Sequence, residues 1–238
     1  MKKDISGDEN QFLQWIDLII ITVIMFGWAI FYSMLGFYEI TYQGGDIEDL
    51  TTFTSSQNWE RFSLQSIILI IVFCYLKLRK FDFYQWNITW SLRSVGKGIL
   101  LFIIAASIID IFGMLYVDEY KALSSDELSI FQEWWKNFNF SIIPYALLNG
   151  FYEEIFFLGI CLAVKPKSLP YALAFSLIVR FSFHTYQGID AAINIGFLFG
   201  TTLYFAYTKW LNKNLLPCFL AHSIADIFGL SFIGYIIY

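Results

Sequence analysis

Long apolar stretches separated by short polar segments dominate the chain from residue 13 onward. A helix needs about 20 mainly apolar residues to cross the hydrocarbon core of a bilayer, and seven stretches come near that length or exceed it. Their approximate bounds are 13–37, 62–77, 97–117, 139–164, 169–187, 189–208 and 214–237. The pattern predicts an all-α fold, a polytopic transmembrane helix bundle of about seven spans in a single membrane domain over residues 1–238.

The charged residues alternate from loop to loop and predict an orientation for the bundle. Basic residues precede the first span and recur in every second loop: Lys2, Lys3, Lys77, Arg79, Lys80, Arg93, Lys97, Lys165, Lys167, Lys209 and Lys213. The other loops are mainly acidic. Because positive residues favour the cytoplasmic side, the N-terminus is predicted to be cytoplasmic and the C-terminus to lie outside.

The composition is that of a membrane protein, and it argues against nucleic-acid binding and against a fold held by disulfides. The chain is 58% hydrophobic and 15% charged, whereas soluble domains have about 45–50% apolar and about 25% charged residues. No basic patch suggests nucleic-acid binding, so the lipid bilayer is the expected partner.

The three cysteines fall in apolar segments, which argues against a disulfide framework. Many Ile, Phe, Lys and Asn residues with little Ala suggest an AT-rich bacterial gene and a multi-pass protein of the cell membrane.

A stripe of small residues runs along the sixth predicted span. Ala192, Gly196 and Gly200 recur at four-residue spacing and therefore share one helical face. Small side chains at such spacing allow the backbones of neighbouring membrane helices to approach closely. The stripe thus predicts a tight contact between this span and another.

Two adjacent carboxylates interrupt the fourth span. An ionised carboxylate in hydrocarbon costs roughly 2.5–3.5 kcal/mol on insertion scales, so Glu153 and Glu154 both need partners. Adjacent helical residues point about 100° apart. One glutamate is therefore expected to face a reaction centre while the other contacts a neighbouring helix.

Two further spans each carry a polar pair at helical spacing. Arg180 and His184 are four residues apart on the fifth span, and His222 and Asp226 are four residues apart on the last. Opposite charges that converge from three helices satisfy one another, whereas separate exposure of each to lipid is implausible. We predict one buried polar site within a core formed by residues 139–238, with residues 1–138 supplying the N-terminal spans and loops.

The order of these residues resembles the CPBP intramembrane proteases, the group of CAAX prenyl endopeptidases and bacterial abortive-infection or bacteriocin-immunity homologues. The family's motifs are Glu-Glu-x-x-x-Arg, Phe-x-x-x-His and His-x-x-x-Asn or Asp. The matching segments here are Glu153-Glu154-Ile155-Phe156-Phe157-Leu158, Arg180-Phe181-Ser182-Phe183-His184 and His222-Ser223-Ile224-Ala225-Asp226. The resemblance covers roughly residues 140–230.

Two positions depart from the family's motifs. Leu158 stands where the family has its arginine, and Arg180 stands where it has its phenylalanine. Arg180 lies one helical turn before His184. We therefore predict that the guanidinium has moved from one helix to another and still contacts Glu154.

The resemblance implies a glutamate-dependent intramembrane (metallo)endopeptidase that hydrolyses a peptide bond with an activated water. Glu153 is then the expected general base, His184 helps to hold the water or a metal, and Glu154 contacts Arg180. His222 and Asp226 complete a metal shell or stabilise the tetrahedral intermediate. If a metal is bound, zinc held by Glu153, His184, His222 and Asp226 is expected. A metal-free mechanism, in which a desolvated Glu is the base and imidazole donors stabilise the oxyanion, is also chemically sound.

The substrate and two competing functions stay open at this point. A membrane-associated peptide or protein is the expected substrate, because an AT-rich bacterial gene argues against prenylated CAAX substrates. The same polar groups also suit a non-catalytic membrane scaffold or immunity protein, in which ion pairs hold the bundle together. A proton or ion transporter is the third interpretation, but no inverted repeat or paired broken helices are visible in the sequence.

Overall fold

The computed structural model describes residues 12–45, 53–116, 135 and 138–233, and helices account for most of them. In chain order they are α1 (Trp15–Tyr38, continued by the π-helical Glu39–Gln43), α2 (Ser55–Leu78), α3 (Leu92–Tyr116), α4 (Ile142–Glu154, continued by the π-helical Ile155–Ile160), α5 (Leu169–Ser182), α6 (Ile189–Trp210) and α7 (Leu216–Phe228). Over these residues the only β pairing is an isolated bridge between Asn87 and Asn214. The predicted all-α helix bundle is confirmed.

The helices differ in whether they are long enough to cross a bilayer. Within the described residues, four are both long and apolar enough to do so, namely α1, α2, α3 and α6. By contrast α5 has 14 residues and α7 has 13. At 1.5 Å per residue each reaches about 20 Å, short of a hydrocarbon core of about 30 Å. The chain is a multi-pass membrane protein, while its number of complete crossings and its orientation stay predictions.

Two helices end before the predicted spans do. The helix α5 stops at Ser182 because the next turn is held by α1, where the Ser33 and Thr185 hydroxyl oxygens lie 3.0 Å apart. The helix α7 stops at Phe228 because Gly229 adopts a φ of +80°, which residues with a Cβ rarely reach. The end of the last predicted span, from residue 234, lies outside the described residues.

One helix begins earlier than its apolar stretch because of a cap. The Thr54 backbone N–H donates to Gln57 Oε1 at 2.8 Å, and the Gln57 N–H donates to Thr54 Oγ1 at 3.4 Å. This reciprocal capping box satisfies N–H groups that the first turn leaves unpaired. Polar residues upstream of residue 62 are therefore helical in α2.

The helix α7 packs against both α3 and α4, and one glycine makes the second contact possible. A Cβ built on Gly150 of α4 would lie 2.5 Å from Ser223 Oγ and 2.6 Å from the Phe219 carbonyl oxygen of α7. The two backbones therefore touch one turn before the paired glutamates. This approach brings the carboxylates of α4 beside His222.

The predicted small-residue stripe also lies at a close helix contact, here between α6 and α5. A Cβ on Gly196 would lie 2.7 Å from Phe181 Cα, and one on Gly200 would lie 2.8 Å from Leu177 Cδ2 and 3.4 Å from Arg180 Cδ. The prediction of close approach is confirmed. The contact holds the Arg180 side chain against α6 on the way to its partners.

A second buried carboxylate joins α1 to α2 away from this region. Asp17 accepts hydrogen bonds from Tyr75 Oη at 2.7 Å and from Arg79 Nε at 2.7 Å. It also accepts the Gln14 backbone N–H at 2.9 Å and so caps the start of α1. Asp17 is therefore fully partnered where α1 begins.

Candidate active site

Glu154 is fully buried and both of its carboxylate oxygens have partners. Arg180 Nη2 donates to Oε1 at 2.8 Å and to Oε2 at 2.9 Å. His222 Nδ1 lies 2.6 Å from Oε1, and because an ionised carboxylate only accepts, the nitrogen carries the hydrogen of this contact. Glu154 thus links α4 to α5 and α7.

Arg180 is buried and provides the positive charge of the site. Its guanidinium carbon lies 4.0 Å from the ring centroid of Phe157 and 5.8 Å from that of Phe199, within cation–π range. The predicted contact between Arg180 and Glu154 is confirmed. Leu158, at the position of the family's arginine, is a buried apolar residue, so the guanidinium comes from α5 instead.

Glu153 differs from its neighbour because only one of its oxygens has a hydrogen bond. Its Oε1 accepts from Asn149 Nδ2 at 3.1 Å. Among the described residues, its buried Oε2 has no hydrogen-bond partner, and neither has Arg180 Nη1. From Oε2 the distance to His222 Nε2 is 3.6 Å and that to Arg180 Nη1 is 3.9 Å. These separations are too long for direct hydrogen bonds and leave all three atoms facing one another.

Asp226 lies at the edge of the cluster, one helical turn beyond His222 on α7. Its Oδ1 is 3.6 Å from His222 Nε2, and its Oδ2 accepts from Asn149 Nδ2 at 2.9 Å. The predicted pairing of His222 with Asp226 on one helical face is confirmed. The Asp226 side chain is 23% exposed, so the otherwise buried cluster reaches the protein surface there.

His184 lies beyond the end of α5, so the prediction that it shares a helical face with Arg180 is wrong. The helix stops at Ser182 because the following turn is bound to α1. The His184 ring nevertheless lies beside the site, since its Nδ1 donates to the Arg180 carbonyl oxygen at 2.7 Å. Among the described residues, this imidazole is hydrogen-bonded to the backbone of Arg180 and to neither glutamate.

The predicted zinc ligands do not form a coordination shell in this arrangement. Over the described part of the chain, no three His, Cys, Asp or Glu side chains are placed to hold one metal ion. The Nδ1 atoms of His184 and His222 both donate hydrogen bonds, so each ring could offer a metal only its Nε2 atom. The Arg180 guanidinium also lies between the carboxylates, where it would repel a cation. Zinc bound by Glu153, His184, His222 and Asp226 therefore stays a prediction that this donor set does not favour.

Two residues of the cluster were missed from the sequence. Asn149 bonds both Glu153 and Asp226, and its position four residues before Glu153 places it on the same helical face. That spacing was the available signal. Gln65 of α2 donates to Asn149 Oδ1 at 2.6 Å, but no spacing rule connects residues on helices so far apart in the chain.

Comparison with known proteins identifies the part of the chain that carries this cluster. Residues 135–228 match the model of the family described as type II CAAX prenyl endopeptidase Rce1-like. No curated protein and no solved structure matches the chain. The matched range contains both glutamates, Arg180, both histidines and Asp226. Over residues 135–228 the chain is therefore similar to the Rce1-like proteins, the group that its three motifs also resemble.

Proposed function

We propose that this protein is an intramembrane endopeptidase in which Glu153 activates a water molecule for attack on a peptide bond. The family match supports protease chemistry in general. The observation that carries the specific proposal is Oε2 of Glu153, a buried carboxylate oxygen without a hydrogen-bond partner. Leaving such an acceptor unpaired is costly, and a water placed between it, Arg180 and His222 would satisfy it.

In the first step, Glu153 takes a proton from the water as the water oxygen attacks the carbonyl carbon of the substrate. Negative charge then develops on the carbonyl oxygen. Nη1 of Arg180 has no hydrogen-bond partner within the described part of the chain and is the donor for that oxygen. His222 Nε2 joins it when the imidazole is doubly protonated. Removing one such preorganised donor typically costs about 100- to 1,000-fold in kcat.

In the second step, the C–N bond breaks and the leaving nitrogen receives the proton that Glu153 had taken up. The hydroxyl of the water stays on the new carboxyl group, and the other proton of the water, which Glu153 had carried, leaves on the new amine. One carboxyl group thus serves as base and then as acid. The sequence of steps requires neither a covalent intermediate nor a metal.

The other polar residues orient these groups. Glu154 binds Arg180 Nη2 and His222 Nδ1, which leaves Nη1 and Nε2 directed towards Glu153. His184 holds the backbone of Arg180. Asp226 lies beside His222 Nε2 and stabilises the positive charge of the imidazolium.

A membrane-associated peptide or protein is the proposed substrate. The site is enclosed by apolar helices and reaches the surface at Asp226. A substrate held in or at the bilayer reaches such a site without leaving the membrane. The amino-acid composition argues against a prenylated substrate, so an unmodified membrane-associated peptide is the first to test.

The test combines peptide cleavage with metal analysis of the purified protein in lipid vesicles. Wild type is expected to cleave an unmodified membrane-anchored fluorogenic peptide with a chelator present, Glu153→Ala to be inactive and His184→Ala to be impaired. Equal cleavage by all three proteins would end the protease assignment. Zinc bound one per chain in wild type and lost from both variants would overturn the metal-free mechanism.

The two competing functions, a scaffold or immunity protein and a transporter, predict different results for the glutamate variants. A Glu153→Ala protein that inserts normally and keeps its cellular function would indicate a scaffold or immunity protein. A proton flux that is lost on Glu154→Gln substitution would indicate a transporter. The peptidase proposal predicts neither result.

A further inference from the structure

A line of hydrogen bonds joins α2, α4 and α7 beside the proposed base. Gln65 Nε2 donates to Asn149 Oδ1 at 2.6 Å. Asn149 Nδ2 in turn donates to Glu153 Oε1 at 3.1 Å and to Asp226 Oδ2 at 2.9 Å. One buried amide therefore connects a residue of the distant α2 to two carboxylates of the site.

The chemistry of the partners fixes the direction of this amide. Ionised carboxylates only accept hydrogen bonds, so the nitrogen of Asn149 must face Glu153 and Asp226. Its oxygen then faces Gln65, whose nitrogen must donate. Both hydrogens of the Asn149 amide are used, and the side chain is buried, so the group has no alternative partner in water.

The bond from Asn149 determines which oxygen of Glu153 is free. With Oε1 held by the amide, Oε2 alone is left facing Arg180 and His222. A carboxylate without this restraint rotates about its last bond. It would then turn towards the Arg180 guanidinium in a direct ion pair, and neither oxygen would be held in the direction of the water.

We propose that Asn149 is a positioning residue that holds Glu153 with one oxygen directed at the reacting water, and that Gln65 fixes the Asn149 amide. This inference rests on the proposed role of Glu153 as the base. It adds a residue outside the three motifs of the family resemblance, and it explains why a buried amide lies one turn before the paired glutamates.

The alternative role for Asn149 is purely structural, a tie between α4 and α7. Exchanging the two partners separates these roles. In the double variant Asn149→Asp/Asp226→Asn, a carboxylate and an amide still face each other across the original 2.9 Å contact. The tie between the helices remains, but position 149 no longer carries an N–H for Glu153.

The experiment measures kcat, KM and the unfolding temperature of the vesicle-reconstituted protein with the membrane-anchored fluorogenic peptide. The exchange variant is compared with Asp226→Asn alone, so that any difference belongs to position 149. It is expected to keep its KM and to lose about 10- to 100-fold in kcat, the usual cost of a misplaced catalytic group. Its unfolding temperature is expected to fall, because the carboxylate introduced at position 149 faces the like charge of Glu153.

A matched control is available at another buried asparagine that also involves α2. Asn58 Nδ2 donates to Ser141 Oγ at 2.9 Å, just before α4 begins. Asn58→Asp is expected to lower the unfolding temperature while leaving kcat unchanged. This pattern would show that loss of a buried amide does not by itself remove activity.

Equal kcat values for the exchange variant and Asp226→Asn would overturn the positioning role. If the exchange variant does not fold, Gln65→Leu carries the test, because Gln65 lies on α2 and does not contact α7 through this network. A several-fold lower kcat with unchanged KM supports the proposal, and an unchanged kcat overturns it. Glu153→Ala distinguishes failure of the positioning role from failure of the proposed function. If Glu153→Ala cleaves like wild type, the proposed function itself fails.

Discussion

At the scale of single residues, the two adjacent glutamates differ in how completely they are bound. Glu154 is held by Arg180 and His222 through both of its oxygens. Within the described structure, Glu153 has a single hydrogen bond, from Asn149, and one oxygen without a hydrogen-bond partner. The first pattern is typical of a structural ion pair and the second of a group that awaits a ligand. We therefore propose different roles for the two adjacent glutamates: Glu154 orients Arg180 and His222, and Glu153 is the general base.

We expect Arg180→Leu to destabilise the protein about as strongly as Glu154→Gln. Removing one partner of a buried ion pair strands the other and costs about 3–5 kcal/mol. Because the residues are in contact, the double variant should lose less than the sum of the single changes. Thermal unfolding in vesicles measures all three, with the exposed Arg93→Leu as the control. A silent Arg180→Leu would mean that this arginine does not replace the one at the family's usual position.

The sequence predicted the charged members of the site and not the neutral ones. Arg180 and Asp226 were found because a charge in an apolar segment demands a partner and because four-residue spacing pairs it with a histidine. Asn149 carries no charge and so raised no comparable demand. Gln65 lies on a helix outside the motif region, and only the packing of α2 against α4 brings it to the site.

At the scale of helices, the contact between α4 and α7 brings the site together. Gly150 allows it, since any Cβ there would overlap Ser223 and Phe219. The α4 residues that follow then lie beside the histidine of α7. The geometry of the cluster therefore depends on a residue that makes no polar contact with it.

Gly150→Ala should force α7 away from α4 and lower both stability and activity. Overpacking of this kind typically costs about 1–3 kcal/mol, and the widened distance to His222 should reduce cleavage beyond the loss of folded protein. Gly96→Ala is the matched control, because a Cβ at this helical glycine of α3 meets no atom within 4 Å. An active, stable Gly150→Ala protein would contradict the proposed dependence on this contact.

The existence of the helices could be predicted from apolar length, but their ends could not. The start of α2 depends on the capping box at Thr54. The end of α5 depends on Ser33 of another helix. Hydrophobicity predicts neither helix end, because the start of α2 is set by local hydrogen bonds and the end of α5 by a tertiary contact.

At the scale of the whole molecule, long helices accompany short ones that carry the chemistry. Within the described residues, the four long apolar helices are α1, α2, α3 and α6, whereas the charged cluster is supplied by α4, α5, α7 and the turn after α5. The division of the chain near residue 138 stays a prediction. It agrees with the family match, which begins at residue 135.

The predicted orientation can be tested by labelling with a membrane-impermeant thiol reagent. In a Cys74→Ser background the remaining cysteines are buried, so single new cysteines report their own side. Tyr42→Cys, at an exposed position where α1 ends, should react in intact cells. Lys167→Cys, in the exposed loop before α5, should react only after the membrane is opened. The reverse pattern would place the N-terminus outside.

The most direct test of the central claim compares the two adjacent glutamates through the same isosteric change. Glu153→Gln should fold like wild type, because its amide still accepts from Asn149, yet its kcat should fall by about 1,000-fold or more, as loss of a proton-transfer group predicts. Glu154→Gln should instead lower the unfolding temperature, because Arg180 loses its partner. Asp17→Asn, which also replaces a buried carboxylate, controls for destabilisation alone and should keep the kcat of the folded protein. Wild-type cleavage by Glu153→Gln would contradict the account.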